Sequence, residues 1–234
     1  MMWVGCSGWY YPHWRGIFYP DDLKKSKWFE YYCRHFNTVE INSTFYRIPK
    51  ITTVRGWVRK TPEDFRISLK MNKQLTHMGE RSVLKDFEET VSVVGEKLGC
   101  VLFQFPPSLK RDEEKLNEII EMAERLGCRC AIEFRHRSWF EAPLELKGDV
   151  VMCFVSSPQI RSPSVFDEYV GEYTYAYVRF HGTSRWYRHL YTADELKEWA
   201  ELIRKFDEGF VYFNNDFNAY APKNALQMIE LLKD

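Results

Sequence analysis

The sequence predicts an α/β protein, a single (β/α)8 barrel of the TIM type. Three observations lead there: eight short apolar runs, helical patterns between them, and a spacing of about 30 residues from run to run, near the length of one βα unit. Eight such units make a compact TIM-type barrel of a chain of 234 residues. An open doubly wound sheet is the alternative. It would need a topological switch point and usually a Gly-rich phosphate turn, and the chain has no GxGxxG or Walker-type motif. No linker or low-complexity tract interrupts the chain, so residues 1–234 are expected to form one domain.

The runs are "WVGCS" (3–7), "TVEIN" (38–42), "RISLKMN" (66–72), "VLFQF" (101–105), "CAIEF" (130–134), "VVMCFV" (150–155), "YAYVRFH" (175–181) and "FVYFNN" (210–215). "KSKWFEYYCRHF" and "TVRGWVRKT" are helix candidates after the first and second runs. "SVLKDFEETVSVVGEKLG" and "DEEKLNEIIEMAERLG" have apolar residues at helical spacing and end at Gly99 and Gly127, which read as C-cap glycines. The sixth unit is irregular: "SSPQIRSPSVFDEYVGE" carries Pro158 and Pro163 and reads as a long loop. "TADELKEWAELIRKF" opens on a capping box, Thr192 to Glu195, and "PKNALQMIELLKD" is the helix candidate after the eighth run.

Strand alternation sorts the side chains. Barrel strands point successive residues to the helix layer and to the interior. If Ile132 and Phe134 face the helices, Glu133 and Arg135 face inward, and the same parity turns Ser7, Glu40, Asn42, Lys70, Gln104, Arg179, His181, Asn214 and Asp216 inward. Buried ion pairs contribute little net stability, so a ring of this size is a costly way to close a core. Barrel active sites lie at the C-terminal ends of the strands, where this ring falls. The expectation is therefore a binding site at the C-terminal mouth.

Composition narrows the ligand. Lys plus Arg equals Asp plus Glu at 33 each, which disfavours a dedicated nucleic-acid surface. No apolar run is long enough to span a membrane and the N-terminal stretch lacks signal-peptide character, so a cytoplasmic location without membrane partners is expected. The six cysteines form no CxxC pair and read as free thiols, without zinc or disulfides.

The strand ends also resemble a known family. "SGWYYPHWRGIFYP", "EINSTFY", "LKMNKQLTH", "FQFPP", "EFRHRSW", "VRFHG" followed by Tyr187 and Tyr191, and "YFNNDFNAYAPKNA" resemble the YecE-like family, a domain of unknown function found in bacteria and archaea. The motifs run from Ser7 to Ala225 in the family's order. The resemblance implies a TIM-type barrel, similar in shape to endonuclease IV, and implies no settled activity.

Three chemistries compete. An enzyme on a small anionic or polyhydroxyl ligand would use Glu133, Glu40 and His181 as acid and base, with Lys70, Arg135 and Arg179 as electrostatic clamps. Ser7, Asn42, Tyr46, His77, Gln104, Tyr187, Asn214, Asn215, Asp216 and Asn224 would bind and orient it, and Trp9, Trp139 and Trp186 would stack on a sugar; Trp14 reads as loop packing. A metal-dependent phosphoesterase would draw on Glu40, His77, Glu133, His181 and Asp216. Nearby cations and the lack of HxH or HExxH argue against it, so neither metal nor cofactor is expected. A nucleic-acid or phosphate binder would use "RSPSVF" or "GTSRWYRHLY". The enzyme is the preferred reading. The sequence points to no oligomeric state.

Overall fold

The structure is a computed structural model that describes residues 1–146, 148–159 and 167–233. The segment "RSPSVF" and Pro163 lie outside the described residues. Two compact units emerge: Met1–Glu40 with Phe154–Asp234, and Ile41–Cys153.

In the first unit the strands are β1 (Met2–Cys6), β2 (Thr38–Ile41), β7 (Phe154–Ser156), β8 (Ala176–Phe180) and β9 (Gly209–Phe213). All pair in parallel. β1 lies between β2 and β9, and β8 between β9 and β7. The helices are α1 (Trp28–Tyr32), α7 (Ala193–Ile203) and α8 (Tyr220–Leu231). Thr192 caps α7 through the expected box: its hydroxyl accepts from the Glu195 amide and the Glu195 carboxylate accepts from the Thr192 amide. The predicted parity holds here. Phe180 stacks on Phe213 at 4.4 Å and meets Trp199 of α7 edge-on, forming the helix-facing layer. Tyr177, Phe210 and Tyr212 pack together on the opposite face, where Tyr212 meets Thr38 through its hydroxyl at 2.7 Å.

The second unit holds β3 (Arg66–Lys70), β4 (Leu98–Gln104), β5 (Cys130–Glu133) and β6 (Val150–Met152), parallel and in that order. Its helices are α2 (Ser43–Tyr46), α3 (Ile51–Lys60), α4 (Lys73–Met78), α5 (Val83–Val94) and α6 (Glu113–Glu124). Asn72 caps α4 by accepting from the Gln74 amide, and Asp112 caps α6 by accepting from the Lys115 amide. Two expectations are corrected. The helix expected to reach Gly99 ends at Val94, because Gly95 takes a left-handed φ of 58°, and Gly99 lies inside β4. The sixth apolar run is broken at Cys153, so its two halves are separate strands, β6 and β7. No helix among the described residues is long and apolar enough to cross a membrane.

Candidate functional site

The strand ends of the first unit form one polar cluster centred on Glu40, which is fully buried. Ser7 Oγ and Arg179 Nη2 both donate to Oε1 at 2.7 Å, and Tyr177 OH donates to Oε2 at 2.7 Å. Three donors converging on one side chain make a cradle for a carboxylate anion. Arg179 is 1 % exposed, so its guanidinium is as deeply buried as the charge it neutralises. Arg179 is thus not an open clamp for a ligand anion, because Glu40 already occupies it.

His181 continues the cluster. Its Nε2 lies 3.3 Å from Arg179 Nη1 and its Nδ1 lies 3.2 Å from the Asn214 side-chain amide. A guanidinium can only donate, so the contact with Arg179 is a hydrogen bond when Nε2 carries the lone pair. Trp186 and Tyr187 cover its ring, with centroids 5.4 and 5.8 Å away.

The loop after β8 is tightly constrained. Gly182 has φ +104°, and an added Cβ would lie 2.5 Å from Arg185 O and 2.8 Å from His189 Cβ. Its amide donates to Tyr191 OH at 2.7 Å, and that hydroxyl donates onward to Ser156 Oγ at 2.8 Å. Asn224 of α8 accepts from the Tyr191 amide at 3.1 Å and donates to the Tyr191 carbonyl at 3.0 Å. Asn215 donates to the His189 carbonyl and to Asn224 Oδ1, both at 2.8 Å. Both asparagines are fully buried. The sequence assigned them to a ligand, whereas their amides fasten this loop. Tyr187, Asn218 and Ala219 have φ of 65°, 54° and 55°, and they are the non-glycine residues with positive φ among those described. Such geometry costs on the order of 1–3 kcal/mol each and clusters at functional sites. Here the strained residues share two loops, joined where the Phe217 amide donates to the Tyr187 carbonyl at 3.0 Å.

Asp216 takes a different direction from the one its strand parity predicted, because β9 ends at Phe213. Its carboxylate accepts from Trp14 Nε1 at 2.6 Å and lies 3.1 Å from His13 Nε2. Burial pushes its carboxyl above the usual range, against the pull of His13 and Trp14. Trp9 stacks on Phe29 at 4.2 Å and so has one face committed to packing.

The second unit has its own polar group. Glu133, also fully buried, pairs with Arg135 Nε and accepts from Cys153 Sγ at 3.9 Å. Lys70 Nζ donates to Gln104 Oε1 at 2.8 Å and sits 4.1 Å from the centre of the Phe45 ring. His77 meets Phe45 edge-on. Burial, then Lys70 and Lys73, hold the His77 imidazole below its ordinary value. Asn42 precedes α2 without capping it, and Tyr46, at the end of α2, is 70 % exposed. Trp139 is corrected from a ligand platform to a core residue. It stacks on Phe134 at 3.7 Å, is fully buried, and gives its N–H to the Leu109 carbonyl.

Among the described residues, no group of three or more His, Cys, Asp or Glu side chains is arranged to hold a metal ion. All six cysteines carry free thiols. Sequence reading missed Tyr177, whose hydroxyl completes the Glu40 cradle; its place two residues before Arg179 on one strand was the available signal. It also missed His189, whose partners Ser184 and Glu195 lie in its own loop and on α7.

Comparison with known proteins follows this geometry. Residues 3–234 match the family model described as "Protein of unknown function DUF72". The UPF0759 protein YunF of Bacillus subtilis is 30 % identical over 99 % of this chain and 95 % of its own length. The UPF0759 protein YecE of Escherichia coli is 28 % identical over 45 % of this chain and 38 % of its own. A crystal structure of a DUF72 family protein from Thermotoga maritima superposes over the whole of both chains with TM-score 0.81 and 28 % identity. One from Enterococcus faecalis superposes with TM-score 0.80 over 100 % of this chain and 96 % of its own, at 22 % identity. These likenesses bear out the α/β, TIM-like barrel class.

Proposed function

The chain belongs to the DUF72 family, and from that premise we propose that it is an acid–base enzyme, with His181 as the group that moves a proton and a neutral polyhydroxyl compound as its ligand. The observation that carries this reading is the buried contact of His181 with Arg179, the residue that Glu40 holds. Arg179 lies against Nε2 and the Asn214 amide against Nδ1, so a ligand that takes the place of Asn214 would meet a ring nitrogen able to pass a proton. In this reading Glu40 is a positioning residue. It holds the Arg179 guanidinium in place and balances its charge, with Ser7 and Tyr177 fixing the carboxylate. A clamp whose charge is already neutralised supports a neutral ligand over an anionic one. Asn214 is half-buried and Trp186 partly exposed beside the histidine; they supply a hydrogen-bonding group and an aromatic face, the pair that suits a sugar-like ring.

A thermal-shift screen tests the reading. Neutral monosaccharides and polyols are titrated beside phosphate and citrate at fixed ionic strength, in the wild type and in Asn214→Ala. A stabilised wild type with a response lost in Asn214→Ala supports a polyhydroxyl ligand at His181. Equal responses of the two proteins to every compound would exclude this site.

A further inference from the structure

We propose that Ser184, His189 and Glu195 form a nucleophile–base–carboxylate constellation that hydrolyses short-chain carboxylic esters. The inference does not rest on the His181 reading, since it uses a different histidine.

The geometry comes first. Ser184 Oγ lies 3.1 Å from His189 Nδ1, and His189 Nε2 lies 3.0 Å from both carboxylate oxygens of Glu195. A carboxylate accepts, so Nε2 carries the proton and Nδ1 presents its lone pair to the serine hydroxyl. This is the tautomer in which an imidazole can act as a base toward a hydroxyl nucleophile. Thr183 Oγ1 donates to Glu195 Oε1 at 3.1 Å, and the Thr192 amide donates to Oε2 at 2.8 Å. Burial pushes the Glu195 carboxyl up, but the hydrogen bonds from Thr192, His189 and Thr183 outweigh it and hold the group below its usual value. The third member is therefore an anion fixed on α7, while the first is exposed on the loop.

A purely structural reading would make His189 a staple between its loop and α7. The bond to Glu195 alone would serve that purpose. The staple does not account for the exposed hydroxyl on the opposite ring nitrogen. The scaffold favours the catalytic reading: Gly182 admits no side chain, Asn215 grips the His189 carbonyl, and Tyr187 is held at positive φ. The result is a serine and a histidine presented on a loop with little freedom.

The reaction balances with an ester and water. Ser184 Oγ bonds to the acyl carbon as its proton passes to His189 Nδ1, and the carbonyl π pair becomes the oxyanion lone pair. Collapse breaks the bond to the alkoxy oxygen, which leaves as the alcohol with the proton from His189. Water then adds to the acyl–Ser184 carbon while His189 takes its proton. Collapse releases the carboxylic acid and returns the proton to Ser184. Short acyl chains are the expected class because Ser184 is exposed on its loop, not set at the foot of a cleft.

Two readouts test the proposal on the full chain. The first is covalent labelling by a fluorophosphonate probe, located by peptide mass spectrometry. The second is release of p-nitrophenolate from p-nitrophenyl acetate. Ser184 should carry the label, and Ser184→Ala and His189→Gln should each lower the hydrolysis rate by about 100-fold or more. Ser184→Ala is a surface change, and its melting temperature reports that it is folded. An unlabelled Ser184 overturns the proposal, as does equal hydrolysis by wild type and a folded Ser184→Ala.

Discussion

Replacing Arg179 with methionine tests how the Glu40 cradle is held together. The wild-type pair is buried on both sides, 1 % and 0 % exposed, at 2.7 Å. Removing the guanidinium leaves a carboxylate with two neutral donors, Ser7 and Tyr177, and no counter-charge on that oxygen. Breaking a buried pair by removing one partner costs about 3–5 kcal/mol, because the remaining charge stays desolvated. For a chain of this length each kcal/mol corresponds to about 2–4 °C, so Arg179→Met should melt on the order of 10 °C lower. Glu40→Gln in the Arg179→Met background removes the stranded charge while keeping the side-chain shape. The double variant should recover about half of the loss or more. Differential scanning calorimetry at neutral pH, with urea unfolding as the second probe, closes the double-mutant cycle. A loss below about 1 kcal/mol for Arg179→Met, or a coupling energy near zero, would refute the claim that these two charges hold each other.

Three further outcomes follow from the loop after β8. Gly182→Ala should destabilise the protein by about 2 kcal/mol or more, measured by urea unfolding, since the new Cβ meets Arg185 O at 2.5 Å at a φ of +104°. Asn224→Ala should cost about 2–4 kcal/mol in the same assay, because the Tyr191 amide and carbonyl and the Asn215 side chain all lose a buried partner. Glu195 has a folded-state value below its unfolded one, so its contribution is present above the unfolded pKa and is lost as pH falls through the folded pKa. Glu195→Gln should therefore be less stable than the wild type at pH 7, and the gap between their melting temperatures should narrow as acid is added.

Strand alternation makes much of this molecule legible in its sequence. In "YAYVRFH" the odd positions face one way, which turned Arg179 and His181 to the same side, where they meet, and in "CAIEF" the same rule turned Glu133 to the side where it pairs with Arg135. Period two is a local property, so it survives in the sequence. Partner choice is not local. Arg179 reads as an open clamp until Glu40, 139 residues away, is found on it. Asn224 reads as a ligand for something outside until its bonds to Tyr191, 33 residues earlier, account for it. Trp139 sits beside charged residues in "EFRHRSW" and looks like surface, yet the turn after β5 folds it onto Phe134. The break at Cys153 has no marker in an unbroken apolar run.

β1 acquires both neighbours only when Gly209–Phe213 exists, although Met2–Cys6 is synthesised well before it. During translation its edge toward β9 stays bare while the intervening chain is built, and a bare parallel edge is a template for pairing with another copy. Tyr191 likewise waits for Asn224 before its loop can set. Refolding should then be slow and concentration-sensitive, and the geometry around His189 should appear with the pairing of β9 against β1, not ahead of it.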